Sequence, residues 1–163
     1  MRFRNFCSLA LVAFLAMACS TTVNTRQALE PNAIGNLRFS DVKAASSLSN
    51  VTPDDISRLE AAVSSRLVKL PQGNMSARIQ LSITQFDIES GVTRFFVGAL
   101  AGSNKMTVAV RLTDVLGNTI ADFDVQRSSN PGGYGALYSQ TTATIDAVAD
   151  GITEVLGGMS GAH

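Results

Sequence analysis

"KMTVAVRLTDVLGNTIADFDVQ", residues 105–126, decides the fold. Met106, Val108, Val110 and Leu112 occupy alternate positions. After Gly117-Asn118 the alternation returns as Ala121, Phe123 and Val125, with Asp122, Asp124 and Gln126 between them. A period of two marks strands with one side turned to a core, and the Gly-Asn pair between them marks a hairpin turn. Because the intervening positions are polar, this hairpin predicts a sheet with one face covered and the other in water.

Working outward, "SARIQLSITQFDIE", 76–89, is a third strand with Ala77, Ile79, Leu81 and Ile83 on one side. Its phase then slips to Phe86 and Ile88, which predicts one extra residue, a β-bulge, after Ile83. "NLRFSDVKA", 36–44, has an imperfect alternation and reads as a further strand. "VTPDDISRLEAAVSSRLVKL", 51–70, predicts a helix. Thr52 suits the N-cap, Pro53 the first helical position, and Asp54 and Asp55 the positive end of the helix dipole. Ile56, Leu59, Val63, Leu67 and Leu70 share one face, and Pro71 and Gly73 stop the run. "TATIDAVADGITEVL", 142–156, predicts a closing helix with Ile145, Val148, Ala149, Ile152 and Leu156 on one stripe. Gly151 weakens it, and Gly157-Gly158 end it.

The order is strand, helix, three strands, helix. Both helical stripes need a partner and the sheet offers one apolar face. The economical solution is an α+β, two-layer sandwich: a mainly antiparallel sheet of about four strands with two helices on one face. Residues 20–35 show no sustained period, carry Pro31, Asn32 and Gly35, and read as a tether, with an edge strand near Val23 as the other reading. The expected organisation is a leader over 1–18, an N-terminus and tether over 19–35, one domain over 36–157, and a frayed tail over 158–163.

Two stretches do not read as plain packing. "SGVTRFFVGALAGSN", 90–104, is apolar yet broken by three glycines. Either Phe95, Phe96, Val97 and Leu100 form a contact with lipid or a partner, or they extend the strands into the core. "NPGGYGALYS", 130–139, offers Tyr134 and Tyr138 either for contact or as lids over the core ahead of the last helix. The first stretch lacks the Lys-Ser/Thr of a phosphate-binding loop.

The N-terminus gives an address. Arg2 and Arg4 precede an apolar run from Phe6 to Ala18, the order of an export signal. The run is too short for a permanent span, which needs about 20 apolar residues. Ala16-Met17-Ala18-Cys19 resembles the lipobox of bacterial lipoproteins, in which the cysteine receives lipid and becomes residue one after cleavage. The usual Leu three places before the cysteine is Ala16 here, with Leu15 one earlier. The same residues fit an ordinary A-x-A cut, which would give a soluble periplasmic protein. Lipidation at Cys19 is favoured because an exported N-terminal thiol would otherwise be exposed and reactive. Ser20, in place of Asp, implies delivery to the outer membrane on that resemblance.

Removing Arg2 and Arg4 with the leader leaves 11 Lys and Arg against 13 Asp and Glu. There is no basic surplus to favour nucleic acid. Cys7 leaves too, so no disulfide is expected. The only histidine is His163, which excludes histidine triads and multi-histidine metal sites. Asp87 with Glu89, and Asp122 with Asp124, stand two apart on presumed strands, where they could meet a hard cation or serve as solvated surface acids. No catalytic residue, cofactor or metal is expected.

The stretches "RIQLSITQFD", "GSNKMTVAVRLTD", "GNTIADFDV" and "NPGGYGALYS", followed by a final helix, resemble the bacterial lipoproteins catalogued as domain of unknown function 4410. The resemblance covers about residues 76–156 and implies an exported, lipid-anchored α+β domain without catalytic residues. A looser similarity, mostly in "RIQLSITQFD", points to the auxiliary lipoproteins of ABC transporters. The expectation is a non-enzymatic envelope lipoprotein. It would be held by its lipid at the periplasmic face of the outer membrane and act as a binding or assembly module with an envelope protein as partner. The alternative is an auxiliary subunit of a transporter, lipid-transfer or secretion complex.

Overall fold

The computed structural model describes residues 21–30, 33–88, 104–129 and 140–160. Strand β1 spans Thr21–Gln27, a 3-10 turn Ile34–Asn36, β2 Leu37–Ser46, α1 Pro53–Leu67, β3 Met75–Asp87, β4 Asn104–Thr113, β5 Thr119–Ser129 and α2 Gln140–Ser160. The strands form one sheet in the order β1-β5-β4-β3-β2. β2 and β3 run parallel, joined through α1, and every other neighbouring pair is antiparallel.

The hairpin forms as its alternation requires. Met106, Val108, Val110, Leu112, Ala121, Phe123 and Val125 are all buried on the helix side. At its turn Gly117 takes φ +88°, the left-handed region that glycine enters without cost. The Asp114 carboxylate accepts hydrogen bonds from the backbone N–H of Leu116 at 2.8 Å and of Asn118 at 2.9 Å, closing the turn. The β-bulge in β3 is present, its register against β4 shifting between Ile83 and Gln85. This keeps Phe86 on the core side after Ile83.

Helix α1 carries a full capping box: Thr52 Oγ1 accepts from the Asp55 N–H at 3.2 Å, and the Asp55 carboxylate accepts from the Thr52 N–H at 3.0 Å. Leu59, Val63 and Leu67 are buried, with Ile56 and Leu70 packed at the margin. The helix stops at Leu67 rather than Leu70: the N–H groups of Lys69 and Leu70 bond back only three residues, to Arg66 and Leu67 at 3.0 Å, and the Gln72 side-chain amide caps the carbonyls of Leu67 at 2.8 Å and Leu70 at 3.0 Å. The stripe of α2, Ile145, Val148, Ala149, Ile152 and Leu156, is buried throughout. α2 does not end at Gly157-Gly158 but continues to Ser160, into the segment expected to be a frayed tail.

The main correction is at the N-terminal side. The sheet has five strands, not four. The segment 19–35, expected as a tether, instead supplies β1 and also Leu29, which is buried in the core. β1 pairs along β5 from Thr21 opposite Arg127 to Gln27 opposite Asp122, so β5 is not an edge. The other reading of this segment, an edge strand near Val23, is the one that forms; it leaves no apolar alternation, since every residue of β1 after Thr21 is exposed. β2 is the opposite edge. Its imperfect pattern is a second bulge, between Phe39 and Asp41, which returns Val42 and Ala44 to the core side.

Candidate functional site

Three carboxylates stand at steps of four along α2: Asp146, Asp150 and Glu154. That spacing places them in a row on one helix face. Arg66 of α1 meets the first two, at 3.2 Å from Asp146 and 2.5 Å from Asp150. Arg127 of β5 meets the third, its Nη2 at 2.5 Å from Glu154. The row therefore ties α1, α2 and β5 together, and Asp150 and Glu154 with their arginines line a cleft of about 490 Å³ that Lys69 and Thr153 also line. Burial disfavours the charged form of Arg66 more than any other single influence. Its hydrogen bonds to Asp150 and Asp146 and their charges outweigh this and hold its pKa above the ordinary value.

Arg127 continues the inward parity of Ala121, Phe123 and Val125, so a charged side chain lies on the covered face of the sheet with only 6% exposure. It fits because α2 presents Gly151 there. A Cβ built at residue 151 would stand 2.8 Å from Arg127 Nε and 3.0 Å from Val125 Cγ1. Gly151 is thus a close-approach glycine, and sequence reading, which counted it only as a weak point in a helix, missed the pair. A glycine inside the apolar stripe, with Glu154 three residues on, is the signal that could have found it.

The open face carries a second group. Arg26 of β1 donates to Asp122 at 2.7 Å and to Asp124 at 2.6 Å, and Arg111 of β4 donates to Asp122 at 3.1 Å. Asp122, which is buried, and the more open Asp124 are thereby engaged by guanidinium groups that tie β1 to β5 and β4. Asp87 accepts from the Gln85 side chain at 2.6 Å, and Glu89 lies outside the described residues. Among the described residues no three His, Cys, Asp or Glu side chains are grouped to hold a metal ion. Both charged groups can cement packing or hold a small polar ligand. Neither presents a carboxylate aimed alone into a pocket, as a general acid or base requires.

The expected contact residues Phe95, Phe96, Val97, Leu100, Tyr134 and Tyr138, and Cys19 itself, lie outside the described residues. The residues that flank them are placed. Segment 89–103 follows Ile88, one residue past β3, and precedes Asn104 of β4, and segment 130–139 follows Ser129 of β5 and precedes Gln140 of α2. Asn104 pairs with Ser129 across the sheet, Asp87 pairs with Lys105, and the Asn104 amide donates to the Gln140 side chain at 3.3 Å. All four attachment points therefore sit at one end of the sheet. It is also the end where β1 begins, since Thr21 pairs with Arg127. Among the described residues no helix is long and apolar enough to cross a membrane.

No family model matches the chain, and no curated protein does. Solved structures do. The PelC dodecamer from Paraburkholderia phytofirmans aligns in two crystal forms at TM-scores of 0.54 and 0.56. Identities are 15% and 13%, and each alignment covers 85% of this chain and 98% of that one. A minor lipoprotein from Acinetobacter baumannii aligns at a TM-score of 0.38 with 15% identity, over 77% of this chain and 94% of that one, too loosely to carry weight. The chain is an α+β sandwich with the fold of the PelC subunit, matched over nearly that subunit's whole length.

Proposed function

We propose that this chain is a lipid-anchored protein of the cell envelope, held at the periplasmic face of the outer membrane and acting by binding or assembly rather than by catalysis. The observation that carries the reading is the motif Ala16-Met17-Ala18-Cys19 running almost directly into the sheet: only Ser20 separates Cys19 from Thr21 of β1. The resemblance to the lipoproteins of domain of unknown function 4410 belongs to the same reading. Assembly is supported by the fold held in common with the PelC subunit, which was crystallised as a dodecamer. It is also supported by the exposed edge strand β1. β2 is a poorer edge for pairing, because the N–H groups of Phe39 and Ala44 are taken by the side chains of Gln72 at 3.3 Å and Glu60 at 2.7 Å.

The contact residues in this reading are Phe95, Phe96, Val97 and Leu100, with Tyr134 and Tyr138. The test is intact-mass measurement and membrane fractionation of the wild type against Cys19→Ser, with native mass spectrometry of the extracted protein. A lipid-sized mass increment lost in Cys19→Ser, membrane recovery that is lost with it, and an oligomer or bound partner support the proposal. An unmodified Cys19 in a freely soluble monomer defeats it. Phe95→Ser with Phe96→Ser should release the partner while leaving the unfolding midpoint in place.

A further inference from the structure

The lipid and the fold together orient the molecule. We propose that the end of the sheet at which β1 begins lies against a phospholipid bilayer, at headgroup level, and that the opposite end is held away from it. This rests on lipidation at Cys19, as in the reading above.

Two peptide steps separate Cys19 from Thr21, so their Cα atoms are at most about 7 Å apart. A tether of the length read from the sequence would have reached tens of ångströms and fixed no orientation. With β1 paired into the sheet, the anchor instead holds one defined end. The pairings bring the start of β4 and the ends of β3 and β5 to that end. β2 ends there too, because it runs parallel to β3. The starts of both helices follow: Asn50, just before α1, donates to the Phe86 carbonyl at 2.6 Å, and Gln140, which opens α2, accepts from Asn104.

The chemistry of the two ends agrees with this orientation. The exposed placed residues of the near end are small and polar or of mixed charge, among them Ser47, Ser49, Asn50, Asp87 and Lys105, while Leu48, Val51 and Ile88 pack against the core. Such groups suit the hydrated headgroup layer. Four of the large exposed hydrophobic side chains among the described residues, Val68, Met75, Val115 and Leu116, lie at the other end, after α1, at the start of β3 and in the β4–β5 turn. A ten-residue strand such as β4 is about 33 Å long. That length holds these four side chains beyond the bilayer, facing the aqueous compartment.

The test uses the full chain, exported with its leader, extracted and reconstituted into phosphatidylethanolamine and phosphatidylglycerol vesicles. Cys7 leaves with the leader and Cys19 is acylated, so Lys105→Cys and Leu116→Cys each supply a single thiol for a fluorophore. Both positions are exposed. Nitroxide-labelled headgroups should quench the label at position 105 several-fold more than the label at position 116. A flexible insert of about twelve Gly and Ser residues between Ser20 and Thr21, spanning about 20 Å, should remove most of that difference. Equal quenching at the two positions, or stronger quenching at 116, overturns the orientation. Intact mass and vesicle flotation are read on the same samples. A chain that floats with an acylated Cys19 but quenches equally defeats the orientation alone. A chain that neither floats nor carries lipid defeats the anchor and the orientation together.

Discussion

Arg127 lies across the face of Gly151, its Nε 2.8 Å from where a Cβ at that position would stand. Gly to Ala in a helix ordinarily stabilises by about 1 kcal/mol. Here the added methyl would press on a buried guanidinium and on Val125, and overpacking of that kind costs about 1–3 kcal/mol. Gly151→Ala should therefore destabilise the protein, by about 1 kcal/mol net, instead of stabilising it. In the Arg127→Ala background, which removes the closer of the two contacts and leaves Val125, the same change should cost less or become stabilising. Urea unfolding of the four proteins of this cycle measures the coupling. Additive effects would show that the close approach carries no energy.

Leu29 tests whether the N-terminal segment belongs to the fold. It is 5% exposed and part of the core, although it follows a strand whose own side chains face solvent. Truncating a buried Leu to Ala costs about 2–5 kcal/mol. A residue in a free tether would change stability by less than about 0.5 kcal/mol. A loss of at least about 2 kcal/mol for Leu29→Ala in equilibrium unfolding is the expected result.

The capping box of α1 gives a smaller and more local effect. Thr52→Ala removes the hydroxyl that accepts from the Asp55 N–H and should cost about 1 kcal/mol. Thr52→Ser keeps that acceptor and should lie close to the wild type. Chemical denaturation of the two variants side by side separates loss of the cap from a general response to substitution at this site.

These features differ in how visible they are in the sequence. The cap of α1, the stripes of both helices and the bulge after Ile83 were legible because each leaves a periodic or positional mark on apolar residues. β1 left none: its one large apolar side chain, Val23, is 40% exposed, and the strand is held by backbone pairing and by Arg26 on Asp122 and Asp124. The bulge in β2 was seen only as irregularity, because the partner strand that defines its register is not a sequence neighbour. Arg127 was hidden for a different reason. Parity pointed it inward, but a charge there makes sense only once Gly151 and Glu154 are known to face it. The meeting of Ile88, Asn104, Ser129 and Gln140 at one end followed from strand order, which short-range patterns do not encode.

Asp122 sets the expected response to acid. Burial is the largest single influence on its carboxyl and works against ionisation. The hydrogen bonds from Arg26 and Arg111, with their charges, outweigh it and hold the pKa below the ordinary aspartate value. A folded-state pKa below that of the unfolded chain means that the unfolded chain takes up the proton first. The stabilisation is then complete above about pH 4 and disappears as pH falls through the lower, folded value. Arg26 and Arg111 are about half exposed, so solvent screening limits the contribution to about 1 kcal/mol or less. Asp114 is also held low, chiefly by the Asn118 side chain and backbone, and adds its own acid sensitivity. The comparison should therefore be made in an Asp114→Asn background. There, replacing Arg26 and Arg111 together by Ala should lower stability at neutral pH and flatten its decline in acid. Superimposable pH profiles of the unfolding midpoint with and without the two arginines would mean that this ion-paired group on the open face does not help hold β1 in the sheet.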